Sequence, residues 1–481
     1  MVDIKSLVKY INSLGYNTYT FDYSVYHNYI QNMLSWYNGD VADFHTERIY
    51  NGDHDVVIKK SRLNMAKRVC EDSASLTFNE NIQINVKSDD ENKYLLGYDE
   101  MTGILGENDF WKAGSELYEI TCALGTGAFE VVVVNLSKYS DRVVGNKDSK
   151  IKIVQHNALE ILPLSWDNNK NIKEVAFIDQ YKIKNTEYVD LRLHVLENGF
   201  YKIVNRRLKV TCNTNFVSVD DTSILDEFNT GSDIPWFSIL KLPIVNNYDI
   251  KSVMGASIYG NSLDILKGID ESFSMLNIEI KHGAKKIFYN KCLLNRDNDT
   301  GRVIYPDDQN GRLVFYYSGN ETNTNLPDGQ KLIQEFNPTL RINDIHKALQ
   351  VQLDMLSHMC GLGHNYYSFD QGTVQKTATE VISENSSMYR NIRKNELALE
   401  KVLLNLFRAL MYVSNLCLGT HYNIDVPISI EFDASIIEDK TAIRQRELEE
   451  VKLGILPVEW YQNKYYKDII VNNDIANKNE E

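Results

Sequence analysis

The sequence predicts an α+β fold organised around very long helices, and three observations carry that expectation. Residues 376–417 contain neither Gly nor Pro while apolar side chains recur at helical spacing, so they form one strut several times the usual ~11 to 12 residue helix. Residues from about 125 to 240 read mainly as β-branched strands without the alternation of a βαβ repeat. Two further helical segments, 256–283 and 339–360, bracket a short turn-rich β segment.

Taken in order, residues 22–38 and 61–78 are helical, the second with Leu63, Ala66, Val69, Cys70, Ala74 and Leu76 on one face. A strand follows at 81–86, then a helix at 107–124 that turns through Gly125 and Gly127 into the strand AFEVVVV. IKIVQH, EVAFIDQYKI, YVDLRLHVL and FYKIVNRRLKV continue the strand-rich block. Ile258, Leu266, Ile269, Phe273, Leu276 and Ile280 mark the helix that ends at Gly283. NRDNDTG, DDQNG and SGNETN are turn chemistry within the small β segment. Ile342, Ile345, Leu349, Leu353, Leu356 and Met359 share a face of the next helix, which gives way to a glycine-rich stretch at 361–375. On the strut, Ile392, Leu399, Leu403, Leu406, Leu410, Val413 and Cys417 form a stripe that Leu397, Val402, Leu404, Phe407 and Met411 widen. VPISIEFD returns to a strand, DKTAIRQRELEEVKLG is a last helix, and the acidic residues after about 470 are expected to fray.

With 481 residues and 43% hydrophobic content the chain can build real cores in roughly three domain-sized units. The net charge of −15, from 66 acidic against 51 basic residues, excludes a protein that wraps nucleic acid through a generally basic surface. The six cysteines include no CxxC pair, which predicts reduced, mostly buried thiols and neither a zinc framework nor disulfides. No apolar run reaches the ~18 to 20 residues of a membrane span and the first residues lack a signal-peptide core, so the expectation is a cytoplasmic protein with no membrane partner.

The segments RLNMAKRVCEDSASLTFNE, FWKAGSELYEITCALGTGAFEV, KTATEVISENSSMYRNIRKNELALEKVL and FDASIIEDKTAIRQRELEEVKLGIL, in that order, resemble portal proteins of tailed phages, in particular the family of long-tailed phages of Gram-positive hosts. The resemblance spans about residues 20 to 465. It implies a portal fold assembled as a ring, usually of twelve subunits, at one capsid vertex of the virion, with double-stranded DNA passing through its centre during packaging and ejection. It further implies a wing (1–255 and 376–432), two stem helices (256–284 and 339–360), a β-rich clip (285–338), a tunnel loop (361–375) and a short helical crown (433–481). Expected partners are other copies of the chain, the terminase large subunit, head-completion or adaptor proteins, and the major capsid and scaffold proteins, with assembly in the host cytoplasm.

The resemblance makes Gly361, Gly363, Gln371, Gly372, Thr373 and Lys376 tunnel-loop candidates for facing DNA. Gly361, Gly363 and Gly372 supply backbone freedom for a moving loop, but ordinary helix capping needs the same glycines. Lys281, His282, Lys285 and Lys286 are stem and clip channel candidates; a solvated helix end complementing the macrodipole is the plainer reading. A conduit must touch DNA without holding it, and few phosphate contacts suit that. Among competing chemistries, His358, Cys360 and His364 lack a fourth metal ligand. Gly125-Thr126-Gly127 precedes a strand, whereas phosphate binding needs a helix N-terminus. Asp307, Asp308, Glu438 and Asp439 would be the acids of a metal-dependent nucleic-acid enzyme, the main alternative; another self-assembling virion protein is the second. No catalytic motif and no cofactor or metal site is expected, and the chain is not expected to be an enzyme.

Overall fold

A computed structural model describes residues 4–16, 23–79, 82–98, 102–139, 142–211, 215–219, 225–283, 285–290, 297–302, 314–317, 333–368, 378–432, 440–453, 457–458 and 461. The N-terminal part contains α1 (Ile4–Ser13), α2 (Tyr23–Tyr37), α3 (Ala42–His45), the hairpin β1 (Thr46–Tyr50) and β2 (Asp55–Lys59), then α4 (Met65–Thr77) and β3 (Gln83–Val86). Two short helices, α5 (Asp89–Leu95) and α6 (Ile104–Glu107), lead to α7 (Phe110–Leu124). The strand block comprises β4 (Thr126–Tyr139), β5 (Arg142–Asn157), β6 (Ile161–Trp166), β7 (Ile172–Ile183), β8 (Thr186–Glu197), β9 (Phe200–Thr211), β10 (Asn215–Ser218), β11 (Glu227–Asn229) and β12 (Phe237–Lys241). Then come α8 (Leu263–His282), β13 (Lys286–Asn290), β14 (Val314–Tyr317), β15 (Ile333–Phe336), α9 (Ile342–Met359), the strut α10 (Ala378–Leu418), β16 (Ile428–Glu431) and α11 (Lys440–Lys452). The α+β expectation holds.

Two sheets make the centre of the strand block. One runs β10-β9-β8-β7-β6 with β11 added on β9, and the other runs β12-β4-β5. Successive hairpins explain the antiparallel order from β6 to β10 and the β4–β5 pair, while β11 returns to β9 and β12 to β4. The strut α10 packs on β4, β5 and β12, burying Leu399, Leu403, Leu406, Phe407, Leu410, Val413 and Cys417. By length and composition its segment Ser386–Leu418 could cross a membrane, but 56% of the relevant window is buried within the protein, as in a core helix. One residue of the predicted stripe is misplaced: Leu397 is 53% exposed. Steps of four, three and four from Ile392 land on Glu396, Leu399 and Leu403, so Glu396 occupies the buried position and pairs with Arg393 at 2.8 Å.

The helix predicted from residue 256 begins instead at Leu263. Backbone donors just before it are taken by tertiary partners: Ser257 N–H donates to the Tyr29 hydroxyl at 3.1 Å and Ile258 N–H to the Cys122 carbonyl at 2.9 Å. Gly125 and Gly255 have a packing explanation at this crossing, while a Cβ on Gly127 would meet Thr121 and Leu117 of α7. Gly125 has φ +84°, and a Cβ there would lie 2.6 Å from the Ala256 backbone; one on Gly255 would lie 2.0 Å from the Gly125 carbonyl oxygen.

The sequence expectation of a small β module between α8 and α9 is met by β13, with β14 parallel on one side and β15 antiparallel on the other. β16 pairs with β3 across most of the chain, with Ile430 opposite Ile84. Cys70, Cys122, Cys360 and Cys417 are buried free thiols. Most residues beyond Leu453, including the terminus expected to fray, lie outside the described set.

The interior also holds a charge cluster that composition did not reveal. Buried Glu130 of β4 accepts two hydrogen bonds from Arg192 Nε, at 3.0 and 2.9 Å, and lies 2.8 Å from both His156 Nε2 and His194 Nε2. Burial would raise the Glu130 carboxyl, but Arg192 and the two histidines outweigh it and hold the group far below the usual carboxylate range.

Candidate functional site

Of the predicted functional residues, those that are described, Lys281, His282, Lys285, Lys286, Gly361 and Gly363, lie at the two ends of the α8–α9 pair. These helices pack through Leu266 and Ile269 on α8 and Ile345, Leu349, Leu353 and Leu356 on α9, all buried. Ser272 Oγ donates to Gln352 Oε1 at 3.0 Å, and Gly268 leaves room for that amide, which a Cβ would approach to 2.9 Å.

At the β-module end, Lys281 and His282 occupy the last turn of α8 and are exposed, where cations complement the helix dipole. Gly283 follows with its N–H on the Glu279 carbonyl at 2.7 Å. Its φ of −77° needs no glycine; the constraint is space, since a Cβ would meet the Leu340 side chain. Lys285 is exposed and pairs with Glu335 across the β13–β15 edge at 2.5 Å, while Lys286 is half-buried. Arg341 was not singled out from the sequence. It forks onto Glu279, with Nη2 to Oε2 at 2.8 Å and Nε to Oε1 at 3.3 Å, and its backbone N–H reaches Oε1 at 3.1 Å. This clamp joins the two chain passages where the β module enters and leaves. The basic positions at this end are interleaved with acids, and Lys285 is engaged.

At the other end, α9 closes in a Schellman motif. Gly361, at φ +78°, donates to the His358 carbonyl at 3.1 Å, and Leu362 N–H reaches the Ser357 carbonyl at 2.9 Å. A Cβ on Gly361 would stand 2.3 Å from the Asn391 amide of α10. Capping and close approach therefore account for Gly361, the plainer of its two sequence readings. Gly363 also has positive φ, +90°. The chain then folds back: Asn365 N–H donates to Asp354 at 2.5 Å, Gln350 Nε2 to the Tyr367 carbonyl at 2.8 Å, and the Tyr367 hydroxyl to Asp72 of α4 at 2.9 Å. Residues 361–367 are anchored. Gln371, Gly372, Thr373 and Lys376 lie outside the described residues.

The His358 and His364 rings stack at 4.4 Å, but Cys360 is buried and its thiol is pushed up to about 12 by burial, so it is not poised to join them as a metal ligand. A cavity of ≈ 290 Å³ opens between β4, β8 and β9 instead, lined in part by Asp190, Arg192, Arg206, Arg207, Asp226 and Trp236. Arg207 there is paired with Asp190 at 2.8 Å, and Arg206 donates to the Asp226 carbonyl at 3.0 Å. These charges are internally satisfied and do not make an open anion site.

Comparison with known families decides the identity. A family profile described as "Phage portal protein, SPP1 Gp6-like" matches residues 19–465. The chain belongs to this portal protein family. It is accordingly a structural component of a virion and not an enzyme, which removes the metal-dependent nucleic-acid enzyme as an alternative. The acids proposed for that chemistry, Asp307, Asp308, Glu438 and Asp439, lie outside the described residues.

Among solved structures, the portal chain is similar to one titled "Neck of native GTA particle computed with C12 symmetry", at 12% identity and a TM-score of 0.36. It is also similar to "Virion of native gene transfer agent (GTA) particle", at 11% identity and a TM-score of 0.34. Each alignment covers 82% of this chain and 86% of the other. No curated protein matches the portal chain.

Proposed function

We propose that this portal chain assembles into a closed ring, a dodecamer in the virion, that sits at one capsid vertex and conducts double-stranded DNA during packaging and ejection. Residues 1–255 and 376–432 then form the wing, and 256–284 with 339–360 the stem. Residues 285–338 form the clip, 361–375 the tunnel loop and 433–481 the crown. The clip docks the terminase large subunit and later the head-completion or adaptor proteins, while the outer surface meets capsid and scaffold proteins in the host cytoplasm.

The observation that carries this reading is the uncovered apolar surface of the helix pair. Met275 and Ile278 on α8, and Val351, Met355 and Met359 on α9, are each about half exposed at spacings of three and four. A lone soluble chain has little reason to hold such stripes in water, and neighbouring copies of the same pair would cover them. The β1–β2 hairpin supports the same reading. It exposes Ile49, Tyr50, Val57 and Ile58, and an isolated two-stranded hairpin is marginal without something packed on it.

Mass photometry and negative-stain microscopy of the purified chain test this. Rings with an axial channel are expected for the wild type, and Met355→Asp should shift the mass to monomer while leaving the far-ultraviolet circular dichroism unchanged. Tubes or rings lacking an axial channel would favour the remaining alternative, another self-assembling virion protein. Rings undiminished by Met355→Asp would show that the helix pair is not the contact.

A further inference from the structure

We propose that His156, Glu160 and Asp179 form a divalent-cation site of the zinc type, which ties the β12-β4-β5 sheet to the sheet that runs from β10 to β6. His156 lies near the end of β5 in the three-stranded sheet, Asp179 lies on β7 of the other sheet, and Glu160 sits in the connection before β6. The His156 side chain is fully buried, and its Nδ1 has no hydrogen-bond partner. That atom faces Asp179 Oδ1 at 3.5 Å and Glu160 Oε2 at 3.8 Å, and the three candidate donor atoms all lie within 4.8 Å of one another.

Three features distinguish this cluster from a chance meeting of acids. First, His156 Nε2 stands 2.8 Å from Glu130 Oε2, which directs its hydrogen there and aims Nδ1 at the two carboxylates. Burial would lower the imidazole pKa, but Glu130, Glu160 and Asp179 outweigh it and raise it to about 9, so a cation binding at Nδ1 displaces a proton. A carboxylate behind a ligating histidine is the usual means of fixing the tautomer and raising its basicity. Second, bonds of ~2.0 to 2.2 Å in a tetrahedral zinc site place ligand atoms roughly 3.3 to 3.6 Å apart, close to the separations from His156 Nδ1. Third, the donors are already held. Phe177 stacks on His156 with ring centres 4.3 Å apart, Arg192 Nη2 fixes Asp179 Oδ2 at 2.6 Å, and the Asn157 N–H fixes Glu160 Oε2 at 3.0 Å. Glu160 and Asp179 are each about one-third exposed, which leaves an entry path and a fourth position for water. One nitrogen and two carboxylate oxygens suit zinc, with cobalt as a spectroscopic substitute.

The test uses full-length protein treated with EDTA, dialysed and titrated with ZnCl2, with bound metal measured by mass spectrometry and the Co2+ form followed by its visible bands. One equivalent per chain is expected, with Glu160→Gln and Asp179→Asn each weakening uptake at least tenfold and a zinc-dependent rise in Tm that Glu160→Gln abolishes. Glu160→Gln carries the test if changes at His156 prevent folding, because Glu160 is partly exposed. Absence of saturable uptake by the wild type would overturn the proposal and leave an ion-pair cluster with Nδ1 protonated. Uptake that survives Glu160→Gln but is lost in His364→Gln would place the ion on the stacked His358–His364 pair and overturn it equally.

Discussion

His45 and Asp270, 225 residues apart, meet in the core with Nε2 and Oδ2 3.0 Å from each other. The Val41 N–H donates to His45 Nδ1 at 3.1 Å, so Nε2 carries the hydrogen and donates it to the carboxylate. The other Asp270 oxygen accepts the Leu63 N–H at 2.7 Å. A single side chain on α8 thereby joins the helix pair to the N-terminal body through two independent donors.

Asp270→Ala strands both donors in a buried site and should destabilise the chain by about 2 to 5 kcal/mol. Asp270→Asn keeps one acceptor and should lose less. Urea unfolding followed by circular dichroism measures both, and a loss below about 1 kcal/mol for the alanine variant would mean that water replaces the carboxylate.

The strut separates buried from exposed leucines within a few residues. Leu403→Asp places a charge at a fully buried position against the β4–β5–β12 sheet and should abolish soluble folded protein, whereas Leu397→Asp should change stability by less than about 0.5 kcal/mol. Expression followed by thermal unfolding distinguishes them. A well-folded Leu403→Asp variant would show that the helix can rotate to a different face.

Those two leucines also show what was legible in the chain. Local period sufficed for the strut, the α8–α9 pair and the strand block, because each buries one face whose spacing repeats along the sequence. It failed at Leu397 because a buried Glu396 takes the stripe position and a polar residue there gives no hydrophobic signal. The start of α8 was misread because hydrogen bonds from residues distant in sequence capture the backbone before Leu263, and no window of local sequence contains them. Glu130, His156, Arg192 and His194 were missed for the same reason. Glu130 lies on β4, His156 on β5 and both Arg192 and His194 on β8, and only the sheet packing makes them a cluster. Of the predicted channel residues, the basic positions at the α8 end were legible as a cluster, but their acidic partners Glu279 and Glu335 were not.

Lys241 should give the chain a measurable alkaline stability term. Its Nζ donates to the Lys170 and Val253 carbonyls at 2.8 and 2.9 Å, and burial lowers its pKa from the ordinary 10.5 to about 8. Below about pH 8 both folded and unfolded chains carry the proton, and the penalty for burying the charge is complete. Between about 8 and 10.5 the unfolded chain binds the proton that the folded one has lost, so this group's contribution to stability rises with pH. Unfolding free energies across that window should increase for the wild type relative to Lys241→Met. A constant difference between the two would show that the ammonium stays solvated in the fold.

Gly125 and Gly199 separate backbone strain from steric exclusion, since their φ values are +84° and +85°. A Cβ on Gly199 meets nothing within 4 Å, so Gly199→Ala should lose only the ~1 to 2 kcal/mol of a left-handed non-glycine residue. On Gly125 the same methyl would press into the Ala256 backbone at 2.6 Å and the Gly255 backbone at 2.7 Å, which cannot rotate away. Gly125→Ala should therefore be several-fold more damaging, read as a larger drop in Tm. Equal losses would mean that the α7–β4 turn and the approach to α8 shift apart readily.

The β module should be separable from the body that carries it. Tyr289 stands opposite Ile333 in the β13–β15 pair, so the chain at Asn290 is already beside its return strand. Just beneath, Arg341 and Glu279 hold the two passages together without help from the module. Replacing residues 291–332 by a short Gly-Ser turn should leave the circular dichroism of the body and its oligomeric mass per chain intact, while binding of the terminase large subunit is lost. If the shortened chain no longer forms soluble assemblies, the segment contributes to the ring itself and its reading as a docking clip fails. Adding Arg341→Ala to the deletion isolates the clamp: removing the fork then should loosen the stem end and lower Tm more than Arg341→Ala does in the intact chain, where β13–β15 pairing still fastens the two passages.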